Sequence, residues 1–412
     1  MPADTVLLYC QHSLGIGHLT RSFALAAALR ERFRVVFLNG GPLPPGLDAP
    51  EGIERVDLPP LGMDEGHALV SRQAGVSVAA ARAERQALIA ATTARVRPAA
   101  LVLELFPFGR MKFIGELLPL IRQVRRQPRP AAVVCSLRDI LVDARRGQVR
   151  HDRRARWLAD RCLDAVFVHA DAAFARLEDS FRPDRPLGVP VHYTGFVTPH
   201  AAQAAGAGFA EPVGPGAVVP TDPLHAPARG RHLLVSAGGG AVGAPLLEAV
   251  LAARDCLSPA QAWPLRLVAG PFLPEPAWQA LQAAVAQRPG VSLVRQVPRL
   301  VDELRQARAS ISQYGYNTAL DLLAAGTPAL VAPYDAPGEN EQRRRAERLA
   351  ALDALCCLPP GPLTPERLGP AIDRLLRFVP RPQPLAMDGA AETTRLLAAL
   401  VAGRHAVAEV AP

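Results

Sequence analysis

The chain has 412 residues, 49% hydrophobic and 20% charged, which excludes a disordered or fibrous protein and allows two domains with separate cores. Its formal net charge is +8, and Lys112 is the sole lysine among 46 Lys plus Arg residues. With 41 prolines and abundant alanine, that arginine excess reads as codon bias rather than a dedicated polyanion surface, leaving only clusters such as Arg122 to Arg129 and Arg343 to Arg345 to weigh against it.

Six cysteines, Cys10, Cys135, Cys162, Cys256, Cys356 and Cys357, form no C-x-x-C pair and have no histidine at metal spacing. They are expected to be small buried hydrophobes in a reducing compartment. No basic leader precedes the first apolar run, and no stretch reaches the roughly 18 apolar residues of a membrane span. The expected location is cytoplasmic.

Short apolar runs ending in Gly, Ser, Asn or Asp alternate with helical patterns, the signature of βαβ units and a parallel sheet, and the chain does this twice. Strands are predicted at Val6 to Cys10, Val35 to Leu38, Ala100 to Leu105, Ala131 to Ser136, Ala165 to His169 and Val191 to Thr194. Between the first two, Leu19, Phe23, Ala26 and either Leu29 or Arg30 follow a helical stripe. Residues Thr198 to Gly230 are rich in Ala, Gly and Pro and have neither period, marking a linker or insertion. Strands resume at Leu233 to Ser236, Leu265 to Ala269, Val291 to Val294, Ala309 to Ser312 and Ala329 to Ala332. Helices are predicted over Ala244 to Arg254, Pro276 to Gln287, Asn317 to Ala325, Glu341 to Ala350 and Ala390 to Ala402. The expected division is therefore a first domain over 1–197, a linker over 198–230, a second domain over 231–380 and a terminal helix over 381–412 that packs back on the first domain.

In an open parallel sheet, ligands sit beyond the carboxyl ends of the strands. Four stretches lie there. The first, "CQHSLGIGHLTRS", offers Gly15, Gly17 and His18, but a dinucleotide fingerprint needs a third glycine where Thr20 stands and an acid where Asn39 stands. No lysine follows these glycines, so a Walker loop is excluded as well. What remains is a tight turn presenting His18 at a helix start. In the second, "LVSAGGGAVG", Gly239 and Gly240 let backbone N–H groups approach an anion. The third, "SQYGYNTALD", turns at Gly315, places Asn317 and Thr318 as phosphate donors and sets Asp321 one turn on, within reach of a ribose. In the fourth, Glu341 and Gln342 open a helix with a carboxylate and an amide suited to vicinal hydroxyls, although an acid-rich helix start gives the same pattern.

These motifs, together with "ELFPFGRMKF", "VCSLRDIL" and "YTGFV", resemble those of the GT-B glycosyltransferases of the MurG-like family 28 group, over nearly the whole chain. The resemblance implies two Rossmann-like domains facing each other across a cleft. It puts Asn317 and Thr318 at the donor diphosphate, Asp321 at the ribose, Glu341 and Gln342 at the sugar, and Gly15, Gly17 and His18 on the acceptor side. Where the family has glutamate this chain has Asp321, and where it has Gln-Gln this chain has Glu341-Gln342. The donor the resemblance implies is a UDP-linked sugar of the UDP-GlcNAc kind, transferred with inversion to an acceptor hydroxyl.

Such a transfer needs a base for the acceptor hydroxyl and donors for the leaving diphosphate. His18 suits the first task, and amides at Gly239, Gly240 and Gly315 with Thr318 suit the second. Glu104 and Asp139 also follow strands of the first domain, either as alternative bases or as the group that orients His18. No Asp-x-Asp occurs, so neither a metal held by that motif nor any cofactor is expected. The run Phe106 to Phe113 is read either as a weak membrane contact carrying the chain to a lipid-linked acceptor or as a helix start packed on the core. Two other functions fit the same residues: a nucleotide-sugar hydrolase with water as acceptor, and a nucleotide-sugar-binding module without catalysis.

Overall fold

The computed structural model describes residues 4–12, 17–43, 47–64, 68–143, 147–198, 230–240, 242–257, 263–334 and 340–410. Gly15 and nearly all of the Ala/Gly/Pro-rich stretch lie outside the described residues. The chain divides into two units, one formed by Met1–Ala202 with Leu385–Pro412 and the other by Gln203–Pro384.

The first unit is built on a seven-stranded sheet in the order β3-β2-β1-β6-β7-β8-β9. Its strands are β1 (Thr5–Cys10), β2 (Arg34–Asn39), β3 (Glu54–Asp57), β6 (Ala100–Glu104), β7 (Ala132–Arg138), β8 (Ala165–His169) and β9 (Val191–Tyr193), and every pairing is parallel. A small antiparallel hairpin, β4 (Leu61–Met63) and β5 (Leu69–Ser71), stands apart from it. Strands buried on both faces read as continuous apolar runs. For that reason β1, β6 and β8 match the apolar segments closely, whereas β3, with alternate exposure, does not stand out.

Four helices cross between these strands: α1 (Gly17–Leu29), α2 (Val78–Val96), α3 (Ile114–Arg125) and α4 (Gln148–Cys162). Ser77 caps α2 by accepting from Ala80 N at 3.1 Å. The stripe Leu19, Phe23, Ala26 and Leu29 of α1 is buried in the core of this unit. Ala390, Leu397 and Val401 join the same core from the last helix of the chain, over Gly389–Val410. An isolated bridge, Val197 with Asp388, ties the entry to that helix to the sheet unit.

The second unit repeats the pattern in a six-stranded parallel sheet of order β12-β11-β10-β13-β14-β15. Its strands are β10 (Leu233–Ser236), β11 (Leu265–Val268), β12 (Val291–Val294), β13 (Ala309–Gln313), β14 (Ala329–Ala332) and β15 (Cys356–Cys357). The helices are α5 (Ala244–Asp255), α6 (Glu275–Ala286), α7 (Leu300–Gln306), α8 (Tyr316–Ala325), α9 (Glu341–Ala351) and α10 (Pro365–Leu375), so the helix over Gly389–Val410 is α11. Gly326, in the left-handed region at φ 59°, ends α8.

Of the two readings of the run Phe106 to Phe113, the burial of Phe106, Phe108 and Phe113 in the core of the first unit agrees with the packed helix start and leaves no aromatic surface for a membrane. The cysteine expectation needs correction. Only Cys10 and Cys135 are buried, while Cys162, Cys356 and Cys357 are partly exposed and Cys256 is exposed, because the last four lie at a helix end or on an edge strand. Among the described residues no helix is long and apolar enough to cross a membrane.

Candidate active site

In the first unit, β1 and β6 are neighbours, which sets the start of α1 beside the carboxyl end of β6. His18 and Glu104 meet there, with Nδ1 2.5 Å from Oε1. The Cys10 thiol lies 3.8 Å from the His18 carbonyl oxygen. Arg21, one turn along α1, reaches the same carboxylate oxygen at 2.8 Å. Arg110 takes the other oxygen through Nε at 3.1 Å and Nη2 at 3.0 Å. The loop delivering Arg110 holds two non-glycine residues in the left-handed region, Leu105 at φ 66° and Arg110 at φ 60°. That conformation costs about 1 kcal/mol per residue and persists only where the surroundings enforce it.

Glu104 is 1% exposed. Burial opposes its charge, but Arg110, His18 and Arg21 outweigh that, and the carboxyl is held well below the usual carboxylate range. For His18 burial dominates and pushes the imidazole well below its ordinary value, with Arg110 and Arg138 acting in the same direction and Glu104 against them. A neutral ring 2.5 Å from a carboxylate carries its proton on Nδ1, since two lone pairs at that distance would repel. Nε2 is then the unprotonated nitrogen. Asp139 is buried just past β7, but the orienting position at His18 Nδ1 belongs to Glu104.

Behind this pair, His169 is fully buried between Ser136 (2.7 Å to Nε2) and Thr194 (2.9 Å to Nδ1). Thr194 donates its hydroxyl proton to the Gly195 carbonyl at 3.0 Å, so it accepts from Nδ1–H, and Ser136 donates to Nε2. Burial keeps this imidazole neutral.

In the second unit, the glycines after β10 have a packing reason. Gly240 (φ 88°) and Gly270 (φ 90°) face each other so closely that a Cβ on Gly270 would lie 2.5 Å from Gly240 N. The Gly240 amide donates to Ala237 O at 3.1 Å, and Gly239 O accepts from Phe272 N at 2.9 Å. Gly240 is therefore not a spare donor for an anion, as the sequence had indicated. Gly239 keeps an amide with no partner among the described residues.

At the carboxyl end of β13, Gly315 precedes α8 and a Cβ there would meet open space. Asn317 Oδ1 is buried without a hydrogen-bond partner among the described residues. Thr318 and Asp321 are buried on the same helix. Glu341 opens α9 and is buried, and Gln342 uses its amide oxygen to accept from Tyr334 N at 3.0 Å. Arg345, four residues beyond Glu341 and 1% exposed, stacks its guanidinium 5.6 Å from the Tyr316 ring centroid. The first turns of α8 and α9 are thereby brought together.

Residues 234–400 match the glycosyltransferase family 28 C-terminal domain. Over that stretch the chain is similar to the family 28 glycosyltransferases. The matched stretch begins in β10 and runs through the second unit into α11. As a whole the chain has the GT-B fold. It is similar to the crystal structure of MurG from Acinetobacter baumannii at 13% identity, over 98% of this chain and 99% of that one, with a TM-score of 0.53. It is also similar to UGT2 of Phytolacca americana, a structure complexed with UDP-2-fluoro-glucose and pterostilbene, at 15% identity, over 98% and 94% of the two chains, with a TM-score of 0.56. A putative UDP-N-acetylglucosamine 2-epimerase from Listeria monocytogenes aligns at 14% identity over 98% and 97%, with a TM-score of 0.59. At these identities the likeness is one of fold, and the epimerase shows that the fold alone does not fix a reaction. No curated protein sequence matches the chain.

Of the residues singled out in the sequence, the structure brings together His18 and Glu104, while Gly15 lies outside the described residues and Gly17 begins α1. Arg21, Arg110 and Arg345 were not singled out for the site. Arg21 had a signal in its spacing, three residues after His18 on a helix. Arg345 had one too, four residues after Glu341.

Proposed function

We propose that this chain moves a sugar from a UDP-linked donor of the UDP-GlcNAc kind to an acceptor hydroxyl, with His18 as general base and inversion at the sugar carbon. The observation that carries this reading is the pairing of partly exposed His18 with buried Glu104 at 2.5 Å, which leaves Nε2 as a neutral proton acceptor. The acceptor oxygen forms a bond to the anomeric carbon as the bond to the donor diphosphate breaks. The hydroxyl proton goes to His18 Nε2, and the electron pair leaves with the nucleoside diphosphate. Glu104 stabilises the imidazolium so formed, and Arg21 and Arg110 fix Glu104.

The donor half of the reading rests on α8 and α9. The amino-terminal N–H groups of α8, Thr318 and the amide of Asn317 are suited to diphosphate oxygens. The Asn317 amide can be turned to present Nδ2 in place of the buried oxygen, which has no partner among the described residues. Asp321 is assigned to the ribose, and Glu341 with the amide nitrogen of Gln342 to the sugar. Arg345 contributes positive charge beside them. With no Asp-x-Asp in the chain, helix amides and this arginine take the role of neutralising the leaving group, without a metal.

The test is to incubate the protein with a panel of nucleotide sugars, with and without hydroxyl acceptors, and to quantify free nucleotide and free sugar. Acceptor-dependent nucleotide release without free sugar is the expected result. Equal release of nucleotide and free sugar without acceptor would make it a hydrolase, and binding without turnover would make it a binding module.

A further inference from the structure

Among the described residues of the second unit, the exposed large hydrophobic side chains are Val242 (47%), Tyr334 (38%), Leu352 (41%) and Val379 (82%). Leu352 follows α9 and Val379 follows α10. Val242 and Tyr334 lie instead in the loops that leave the carboxyl ends of β10 and β14. Those two strands flank β13 in the sheet and all three run parallel, so their exits share one edge. At about 4.8 Å between neighbouring strands, the exits of β10 and β14 stand roughly 10 Å apart, with Gly315 and the start of α8 between them. A single exposed hydrophobic residue needs no explanation, but two on either side of one ligand-binding edge do.

The backbone holds both residues in place. Gly243 N donates to Gly240 O at 3.2 Å, closing a tight turn that contains Val242. A Cβ on Gly243 would lie 2.2 Å from Ala237 Cβ, so the turn is packed against the end of β10 and Val242 stands on its outer side. Exposed turns favour Gly, Asn, Asp and Ser, and a stiff β-branched aliphatic residue is a poor choice for one unless it has something to touch. Tyr334 follows Pro333, and its backbone N–H donates to Gln342 Oε1 at 3.0 Å. That bond sets Tyr334 directly beside the side chain assigned to the donor sugar.

We propose that Tyr334 and Val242 form the apolar wall of the sugar subsite and bind the C–H face of the donor's pyranose ring, an inference that rests on the donor site proposed above. A pyranose carries hydroxyls around its rim and C–H groups on its faces. The negative face of an aromatic ring attracts such C–H groups, while a carboxylate and an amide, Glu341 and Gln342, meet the hydroxyls. A few polar groups set against an apolar wall is the general make-up of a small-molecule site. Tyr334 is tied to α9, where the sugar is assigned, and not to Asp321 of α8, where the ribose is assigned. The wall therefore reads the sugar and not the nucleotide.

Calorimetric titration of the full chain with UDP, UDP-glucose and UDP-GlcNAc tests the proposal, because the three probes share the nucleotide and only two carry a sugar. Tyr334→Ala is expected to weaken both UDP-sugars by about threefold to tenfold and to leave the Kd of UDP within about twofold of the parent. Val242→Ser is expected to act in the same direction by about threefold. Tyr334→Phe keeps the ring and is expected to bind all three as the parent does. Leu352→Ala, at an exposed hydrophobic residue outside this edge, serves as the control and is expected to change none of them. All these side chains are exposed, and thermal unfolding confirms that each variant is folded. A Tyr334→Ala protein that binds both UDP-sugars as the parent does overturns the wall while leaving the donor site standing. A loss of UDP affinity equal to the loss for the UDP-sugars also overturns it, since the ring would then serve the nucleotide, as does an equal loss in the control. A parent that binds none of the three probes overturns the donor site itself and the wall with it.

Discussion

Arg110 grips Oε2 of Glu104 through two nitrogens, leaving Oε1 for His18 and Arg21. The carboxylate is thus locked in one orientation, and His18 is locked with it. Glu104→Gln keeps the shape but offers an amide where Nδ1–H needs an acceptor. The expected outcome is a fall in kcat of about 10²- to 10⁴-fold with little change in the KM for the nucleotide sugar. Steady-state kinetics check it, with thermal unfolding measured in parallel because Arg21 and Arg110 lose their counter-charge.

Stability falls on acidification. Burial keeps His18 and His169 neutral in the folded chain below the ordinary histidine value. Unfolded imidazoles take up a proton near pH 6.5, so below that pH the unfolded state binds more protons, and each such group costs about 1.4 kcal/mol per pH unit. Glu104, held low, adds its own loss once the pH drops below the ordinary carboxylate range. Urea midpoints between pH 8 and pH 5 are expected to decline, and the His169→Asn variant is expected to decline less steeply. The same neutrality places the acid limb of kcat below pH 6.5.

Arg85 is fully buried and bonds to Glu116 Oε1 at 2.6 Å and Oε2 at 2.9 Å, to Tyr9 OH at 3.1 Å, and to the Gly40 and Pro59 carbonyls at 3.0 and 2.9 Å. Arg85→Met strands the Glu116 charge in the core and is expected to cost about 3–5 kcal/mol. Adding Glu116→Leu should recover much of that loss. Chemical denaturation of both variants decides it, and equal stability of the single variant and the parent would refute the ion-pair account.

Gly270→Ala introduces a Cβ 2.5 Å from Gly240 N at a position with φ 90°. Gly315→Ala meets open space at an ordinary φ. The first is expected to destabilise by more than about 2 kcal/mol and the second by less than about 1 kcal/mol. The contrast separates glycines required by packing from a glycine at a helix start.

Much of this was legible in the sequence because both sheets are parallel and buried. The β1–α1 and β13–α8 junctions announce themselves as apolar runs that end in glycine before a helical stripe. What periodicity does not encode is which strands are neighbours. The order β1 beside β6 is what joins His18 to a residue 86 positions away. The role of Gly240 was equally hidden, since its partner Gly270 belongs to the next βα loop. The short strands β3, β4 and β5 carry too few residues for a period to show. A run of aromatics between a strand and a helix likewise looks the same whether it faces water or, as Phe106 and Phe108 do, the core.

The central claim is that His18 takes the acceptor proton, and comparing the parent with His18→Ala at saturating nucleotide sugar tests it most directly. Turnover should fall by about 10²-fold or more while the dissociation constant for the donor is unchanged. A His18→Ala protein that turns over at the parental rate would contradict the account.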